Sequence, residues 1–297
     1  MAVPGWPVAF RGTDAIRAGL VTSGQLRGPN YLRLFPDTYV RRGDEPPDLV
    51  VRSLAAFLYT GRRGILSGYS AAEVQQASCG PLDAPAELTL PSGGHPRPGL
   101  LVHRDRLDRD EIQMCRGLPV TTPVRTAYDL ARWQEQLVEA VVAVDALANR
   151  GRGVLDHDDA GFDPADVLRF ARRYPRARGS ARLPRVVELA DRRSGSPMET
   201  RLRLVLVLRG LPVPEVQYPV LDDRRRRAVW LDLAYPEHRI GIEYEGADHA
   251  KPDRVLRDVG RYTRLVADSW RIYRFTKFEI YGEQDRIAAT IWRALGR

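Results

Sequence analysis

The sequence predicts an α+β protein of several domains: a small amino-terminal module of helices and strand, a mixed middle region, and a carboxyl-terminal α/β domain. Three observations predict it. The 297 residues exceed what one small core organises. Apolar spacing switches repeatedly between the helical period and the two-residue period of strands. Residues 149–162, rich in Gly and Asp, interrupt both as a linker. The expected divisions are therefore 1–60, 61–148, a linker and helical stretch 149–195, and 196–297.

Composition bounds the function. Hydrophobic residues make up 43% and charged residues 28%, the balance of a soluble globular chain. No apolar run approaches the roughly 18–20 residues of a membrane span, so no membrane partner is expected. The first twenty residues lack the charged start and apolar stretch of a signal peptide, and the expected location is cytoplasmic. Cys79 and Cys115 are too few for a disulfide framework or a thiolate metal site. A net charge of +8 favours a polyanionic partner. Charge alone does not name that partner, because only Lys251 and Lys277 among the 46 basic residues are lysine, and a GC-rich genome produces the same arginine bias.

Residues 13–19 and 22–27 read as two short helices with cap and glycine punctuation, followed by a strand over 34–40 broken by Pro36. Helix, turn, helix and a strand that serves as a wing is the outline of a winged-helix DNA-binding module. A small all-α capping subdomain is the other reading. Residues 48–66 then read as helix, Ser70 as the cap of another through Val74, and 86–90, 99–103 and 118–120 as strands. Ser67, Ser70 and His103 show neither triad spacing nor a glycine elbow, so they read as structural. Pro123 starts a helix that continues as a buried helix through Leu147. Asp163 opens another through Arg173, and the arginines of 172–193 read as a solvated face or a phosphate contact.

In the last domain, Ser196-Pro197-Met198-Glu199 reads as a capping box. The helix it opens has Leu202, Val205 and Leu206 on one face. Strands follow at 216–221, 229–235 and 239–245. Period two puts Leu231 and Leu233 on one face and Asp232 on the other; likewise it separates Ile240, Ile242 and Tyr244 from Glu243 and Glu245. A pivot between Glu237 and His238 places Asp232 opposite Glu243 and Trp230 opposite Glu245. Directly opposed like charges destabilise a sheet. A hard divalent cation offsets that repulsion, as would pairing with Arg257 or Arg261 or exposure to solvent. A helix beyond Pro252 presents Arg254, Arg257, Arg261 and Arg264 at three- and four-residue spacing, either as a solvated face or as a grip on a phosphodiester backbone. A strand over 270–275 and a helix over 284–295 complete the domain.

These residues resemble a known family. The helix with Glu199, then LDLAYPE, IEYEG, His249, the DVGR step and SWRIYRF, looks like the very-short-patch-repair-endonuclease-like branch of the PD-(D/E)XK nucleases, a restriction-endonuclease-like fold. The resemblance implies Asp232 and Glu243 as metal-binding acids, with Mg²⁺ or Mn²⁺ as cofactor, and the strand faces add Glu245 as a third acid for the metal. Glu245 stands where many members carry lysine. It further implies supporting roles at the site for Glu199 and, as base or phosphate contact, for His249. AIRAGLVTSGQLR, YLRLFPDTYV and LSGYSAAEV resemble AbiEi-type antitoxin winged-helix proteins, which implies DNA binding and a toxin–antitoxin or defence-system partner. A homodimer is compatible with either resemblance. Two functions are thus expected: a metal-dependent DNA endonuclease, in defence or repair, and a non-catalytic DNA-binding regulator of antitoxin type.

Overall fold

The computed structural model describes residues 8–92, 97–149, 161–221, 228–246 and 269–296. They form a mixed α+β protein with three sheets among the described residues. The chain falls into two compact units, 1–133 with 169–177, and 134–168 with 178–297, where the sequence suggests four divisions. No helix among the described residues is long and apolar enough to cross a membrane.

The first unit begins with β1 (Ala9–Arg11), α1 (Gly12–Arg17), α2 (Ser23–Leu26), β2 (Tyr31–Phe35) and β3 (Thr38–Arg41), in a sheet ordered β1-β3-β2. The single strand expected over 34–40 is a hairpin, because the chain reverses at Pro36-Asp37 with Asp37 at φ 55°. Asp37 also anchors α1, accepting the Thr13 N–H at 2.8 Å and its hydroxyl at 2.7 Å. Thr22 and Gln25 close a reciprocal capping box on α2, which satisfies two otherwise orphaned N–H groups.

α3 (Leu49–Tyr59), capped by Asp48, packs on this sheet and on the strand Ala86–Thr89 of the next. One apolar cluster runs from Ala9, Phe35 and Val40 through Ala55 and Ala56 to Leu66, Leu88 and Val120, so residues 1–60 share their core with the segment that follows. The second sheet is ordered β6-β5-β4-β8-β7, from β4 (Ile65–Leu66), β5 (Ala86–Thr89), β6 (Leu100–His103), β7 (Ile112–Cys115) and β8 (Leu118–Thr121). α4 (Gly68–Val74) starts after Ser67, three residues earlier than expected, which puts Ser70 inside it. There the Ser70 hydroxyl accepts the Glu87 N–H at 2.7 Å and lies 2.6 Å from the Ser53 hydroxyl. Ser67 lies 2.9 Å from the Thr89 hydroxyl, and His103 lies 2.7 Å from Glu87 and stacks on Trp133 at 3.7 Å. Each polar group is absorbed in packing, in keeping with the structural reading.

α5 (Pro123–Trp133) carries Arg125, only 1% exposed. Its guanidinium donates to Asp129 at 2.8 Å, Glu111 at 2.6 Å, Asp105 at 3.0 Å and the Arg106 carbonyl at 3.0 Å. Burial opposes its charge, but the carboxylates of Asp129, Glu111 and Asp105 more than offset this and hold it more strongly protonated than usual. Tyr128, Phe170 and Tyr174 surround it, and the Tyr174 hydroxyl donates to Glu111 at 2.6 Å.

The second unit opens with α6 (Leu137–Ala148), separate from α5. α7 (Ala165–Ala171) follows; its last three residues cluster with the first unit. α8 (Leu183–Leu189) and α9 (Pro197–Val207) pack with α6. Asp145 on α6 ties these helices together, accepting the Asp191 N–H at 2.7 Å, the Thr200 hydroxyl at 2.9 Å and Arg203 at 2.8 Å. The third sheet, ordered β12-β11-β10-β9, comprises β9 (Glu215–Leu221), β10 (Ala228–Tyr235), β11 (Ile240–Glu245) and β12 (Arg271–Thr276), the last parallel to β11. α9, α10 (Lys277–Gly282) and α11 (Gln284–Ala294) contribute to one core with it, in which Leu202, Val205 and Leu206 meet Leu233, Ile240 and Ile242.

Burial pushes the Asp145 carboxyl up to about 7, against the donors Arg203, Asp191 N–H and Thr200. Because the folded-state value lies above the ordinary 3.8, this group favours the fold fully at low pH, and its contribution declines as pH rises toward about 7. Urea midpoints measured from pH 4 to 8 are expected to show a fall in the native chain, at most about 1.4 kcal/mol per pH unit from this one group. Asp145→Asn is expected to remove that component; parallel profiles for the two chains would contradict it.

Candidate functional site

The acids of the third sheet lie around a break in its pairing. β10 and β11 pair as Leu233↔Ile242, Ala234↔Gly241 and Tyr235↔Ile240, the register expected from a pivot between Glu237 and His238. One residue earlier the Asp232 carboxylate accepts the Tyr244 N–H at 2.8 Å, so a side chain enters the place of a backbone acceptor. On the other side, β10 pairs with β9 at Leu231↔Tyr218 and Leu233↔Val216 but skips the rung that Asp232 shares with Gln217. Gln217 has φ 52°, a left-handed conformation that costs a non-glycine residue about 1–3 kcal/mol.

That rung resets the alternation of faces. Leu231 packs with Tyr218, Val220, Val229, Ala234, Trp270 and Ile272, whereas Leu233 belongs to the cluster built on α9. A Cβ added to Gly241 would meet both Leu231 and Ile272, which places Leu231 on the side of Gly241 and away from Ile240 and Ile242. The expectation that Leu231 and Leu233 share a face is therefore corrected: strict period two holds only within unbroken strand.

Glu243 and Glu199, like Asp232, have protein partners. Glu243, 6% exposed, lies 3.6 Å from Arg274, its neighbour across the parallel β11–β12 register. Glu199 accepts the Gly195 N–H at 2.8 Å and the Gln217 side-chain amide at 2.8 Å. The expected capping box is thus half formed: the Ser196 hydroxyl accepts the Glu199 N–H, while the Glu199 carboxylate reaches back to Gly195. Glu245 is exposed at the end of β11, one alternation beyond Glu243. Repulsion among the acids is accordingly relieved by Tyr244 N–H, Arg274, Gly195 N–H and Gln217, and the repulsion argument alone no longer calls for a cation. Arg257 and Arg261, the pairing partners weighed from sequence, lie outside the described residues.

The donor chemistry still fits a hard ion. Asp232, half-buried, and Glu243, buried, offer only oxygen on adjoining strands, and Mg²⁺ ordinarily takes one or two protein carboxylates with water completing its shell. Among the described residues, three such ligand atoms gather within 4.8 Å only at Asp108, Asp110 and Glu111 in the first unit. Arg173 already meets those acids, at 3.2, 2.9 and 3.5 Å, and Arg106 and Arg125 pair with Asp108 and Glu111 as well. His249, Arg254, Arg257, Arg261 and Arg264 lie outside the described residues.

Gln217, Gly195 and Arg274 are the site residues that sequence reading misses. Pairing the parallel strands would have found Arg274 opposite Glu243, but Gln217 carries no signal in hydropathy. In the amino-terminal sheet, Arg33 and Arg41 are exposed on the β2–β3 hairpin, and Arg27 is exposed after α2.

Residues 66–153 match the AbiEi antitoxin C-terminal domain family. Two uncharacterized proteins of Mycobacterium tuberculosis, from strains CDC 1551 / Oshkosh and ATCC 25618 / H37Rv, are each 28% identical over 277 residues. The match covers 92% of this chain and 95% of either relative. No solved structure matches. The middle of the chain is thus similar to an antitoxin domain, and the similarity to the mycobacterial relatives extends across both units.

Proposed function

We propose that this protein is a DNA-binding regulator of antitoxin type, acting with a toxin or defence-system partner. The observation that carries the reading is the antitoxin-family match at 66–153, which follows, after α3, a module with two short helices and an arginine-bearing hairpin. The order β1, α1, α2, β2, β3 suits a winged helix. Its second helix has only four residues, about 6 Å of axial length, against a major groove about 12 Å wide. The hairpin therefore carries the larger share of the contact, with Arg33 and Arg41 on phosphate.

Fluorescence anisotropy of the full chain on labelled duplex tests this. Affinity is expected to fall steeply between 50 and 200 mM salt, and Arg33→Ala/Arg41→Ala is expected to reduce the slope of log affinity against log salt by about 2. A slope unchanged by the double substitution would remove the hairpin from the interface.

A second reading, favoured by the adjacency of Glu199, Gln217, Asp232 and Glu243, is a metal-dependent endonuclease in the second unit. Asp232 and Glu243 would hold Mg²⁺ or Mn²⁺, whose chemistry is to activate water and stabilise charge on the phosphate. Glu199 and Glu245 would support the site, with His249 and the four arginines from Arg254 to Arg264 meeting the nucleic acid. Supercoiled plasmid incubated with Mg²⁺, Mn²⁺ or EDTA is expected to be nicked only with metal, and not by Asp232→Ala/Glu243→Ala. Intact plasmid under all conditions, with duplex binding retained, leaves the regulator as the function.

A further inference from the structure

We infer that Asn30 reads sequence at the proposed DNA interface, presenting its side-chain amide to an adenine in the major groove, and that Arg42 is the residue that positions it. The inference rests on the reading of the chain as a DNA-binding regulator and names the base contact within it.

The hairpin and α2 build one surface. Tyr31 stands opposite Arg41 and Tyr39 opposite Arg33, so these four side chains share one face of β2 and β3. On that face Tyr31 and Tyr39 pack against Phe10, Val21 and Leu26, which brings α2 beside the two arginines. Leu32 and Val40 turn to the opposite face and the core shared with α3. Residues 8–42 hold six arginines and two aspartates. Asp37 pairs with Arg11 at 3.2 Å and Asp14 with Arg17 at 3.5 Å, so the surplus of positive charge falls on Arg27, Arg33, Arg41 and Arg42. A phosphodiester backbone complements that surplus.

Phosphate contacts orient a protein on DNA but carry no sequence information, so a selective regulator also needs a side chain that reaches a base edge. The side-chain amide of Asn or Gln matches adenine in the major groove, accepting from N6 and donating to N7. Within α2, Leu26 is buried, Gly24 has no side chain, and the Ser23 hydroxyl suits any base. The Gln25 side-chain oxygen already accepts the Thr22 N–H at 2.7 Å, which removes the half of its amide that would face N6. The other amide of the module is Asn30. It is exposed, and no hydrogen bond among the described residues engages its side chain.

Arg42 holds the backbone from which Asn30 projects. Its N–H donates to the Asn30 carbonyl at 2.9 Å and its Nε–H to the Pro29 carbonyl at 2.8 Å. Two successive carbonyls are thus fixed to the end of β3, and the pyrrolidine ring fixes φ at Pro29. A short side chain on a backbone held in this way loses little freedom on forming two hydrogen bonds at once. Arg41 stands opposite Tyr31, the residue after Asn30, so a phosphate grip adjoins the amide.

The test is selection of duplexes from a random pool by the full chain, followed by anisotropy titrations on the enriched duplex and on a scrambled one. The native chain is expected to select a motif containing a fixed adenine. Asn30→Ala is expected to lose the preference at that one position and to bind the enriched duplex about 5- to 150-fold more weakly. Its affinity for the scrambled duplex, its salt dependence and its melting temperature are expected to match the native chain. Arg42→Lys keeps the charge but not the guanidinium bond to Pro29, and is expected to blur the same position at an unchanged salt slope. A loss equal on enriched and scrambled duplexes would overturn the proposal. A motif shared by the native chain and Asn30→Ala leaves the regulator reading standing and removes the base contact. A native chain that binds both duplexes but enriches no motif ends the selective reading itself, and the base contact with it.

Discussion

The cost of taking charge out of water governs where this chain places its acids and arginines. A buried ion is tolerated only when directed donors or counter-charges replace its hydration. Arg125 meets that condition with Asp105, Glu111 and Asp129, whereas in the second unit Arg203 offsets the burial of Asp145 only in part and its carboxyl is pushed up to about 7. Both networks join residues distant in sequence, so they fix which helices belong together. Asp145 explains why α6 clusters with the second unit although it follows α5 closely: its partners Thr200 and Arg203 lie on α9, and Asp191 precedes that helix.

The same constraint shapes the acidic site. Asp232, Glu243 and Glu199 are met by a backbone N–H, a guanidinium, and an N–H with an amide. These partners hold the acids near one another without a cation and leave oxygen chemistry suited to one. The strand break at Asp232 and Gln217 belongs to this arrangement, since it frees the Asp232 side chain from regular alternation and turns it toward Tyr244.

Much of this was legible in sequence. Ser196 and Pro197 mark the start of α9, Pro123 the start of α5, and the pivot between Glu237 and His238 gives the observed β10–β11 register. These signals are local, resting on caps, fixed φ and short turns. The two-residue strand β4 is too short for periodicity to register. The reversal of faces at Asp232 was hidden because it depends on a left-handed glutamine in the neighbouring strand. Arg274 was hidden because parallel pairing joins residues across a long segment, and no spacing rule reaches that far.

The reading of the chain as a sequence-selective DNA-binding regulator is tested most directly by selection of duplexes from a random pool on the full-length protein, followed by sequencing. Enrichment of a defined motif by the native chain is the predicted result, with Arg33→Ala/Arg41→Ala in the β2–β3 hairpin lowering recovery about uniformly across sequences. A pool that stays random through successive rounds, although the protein retains DNA, would contradict the account.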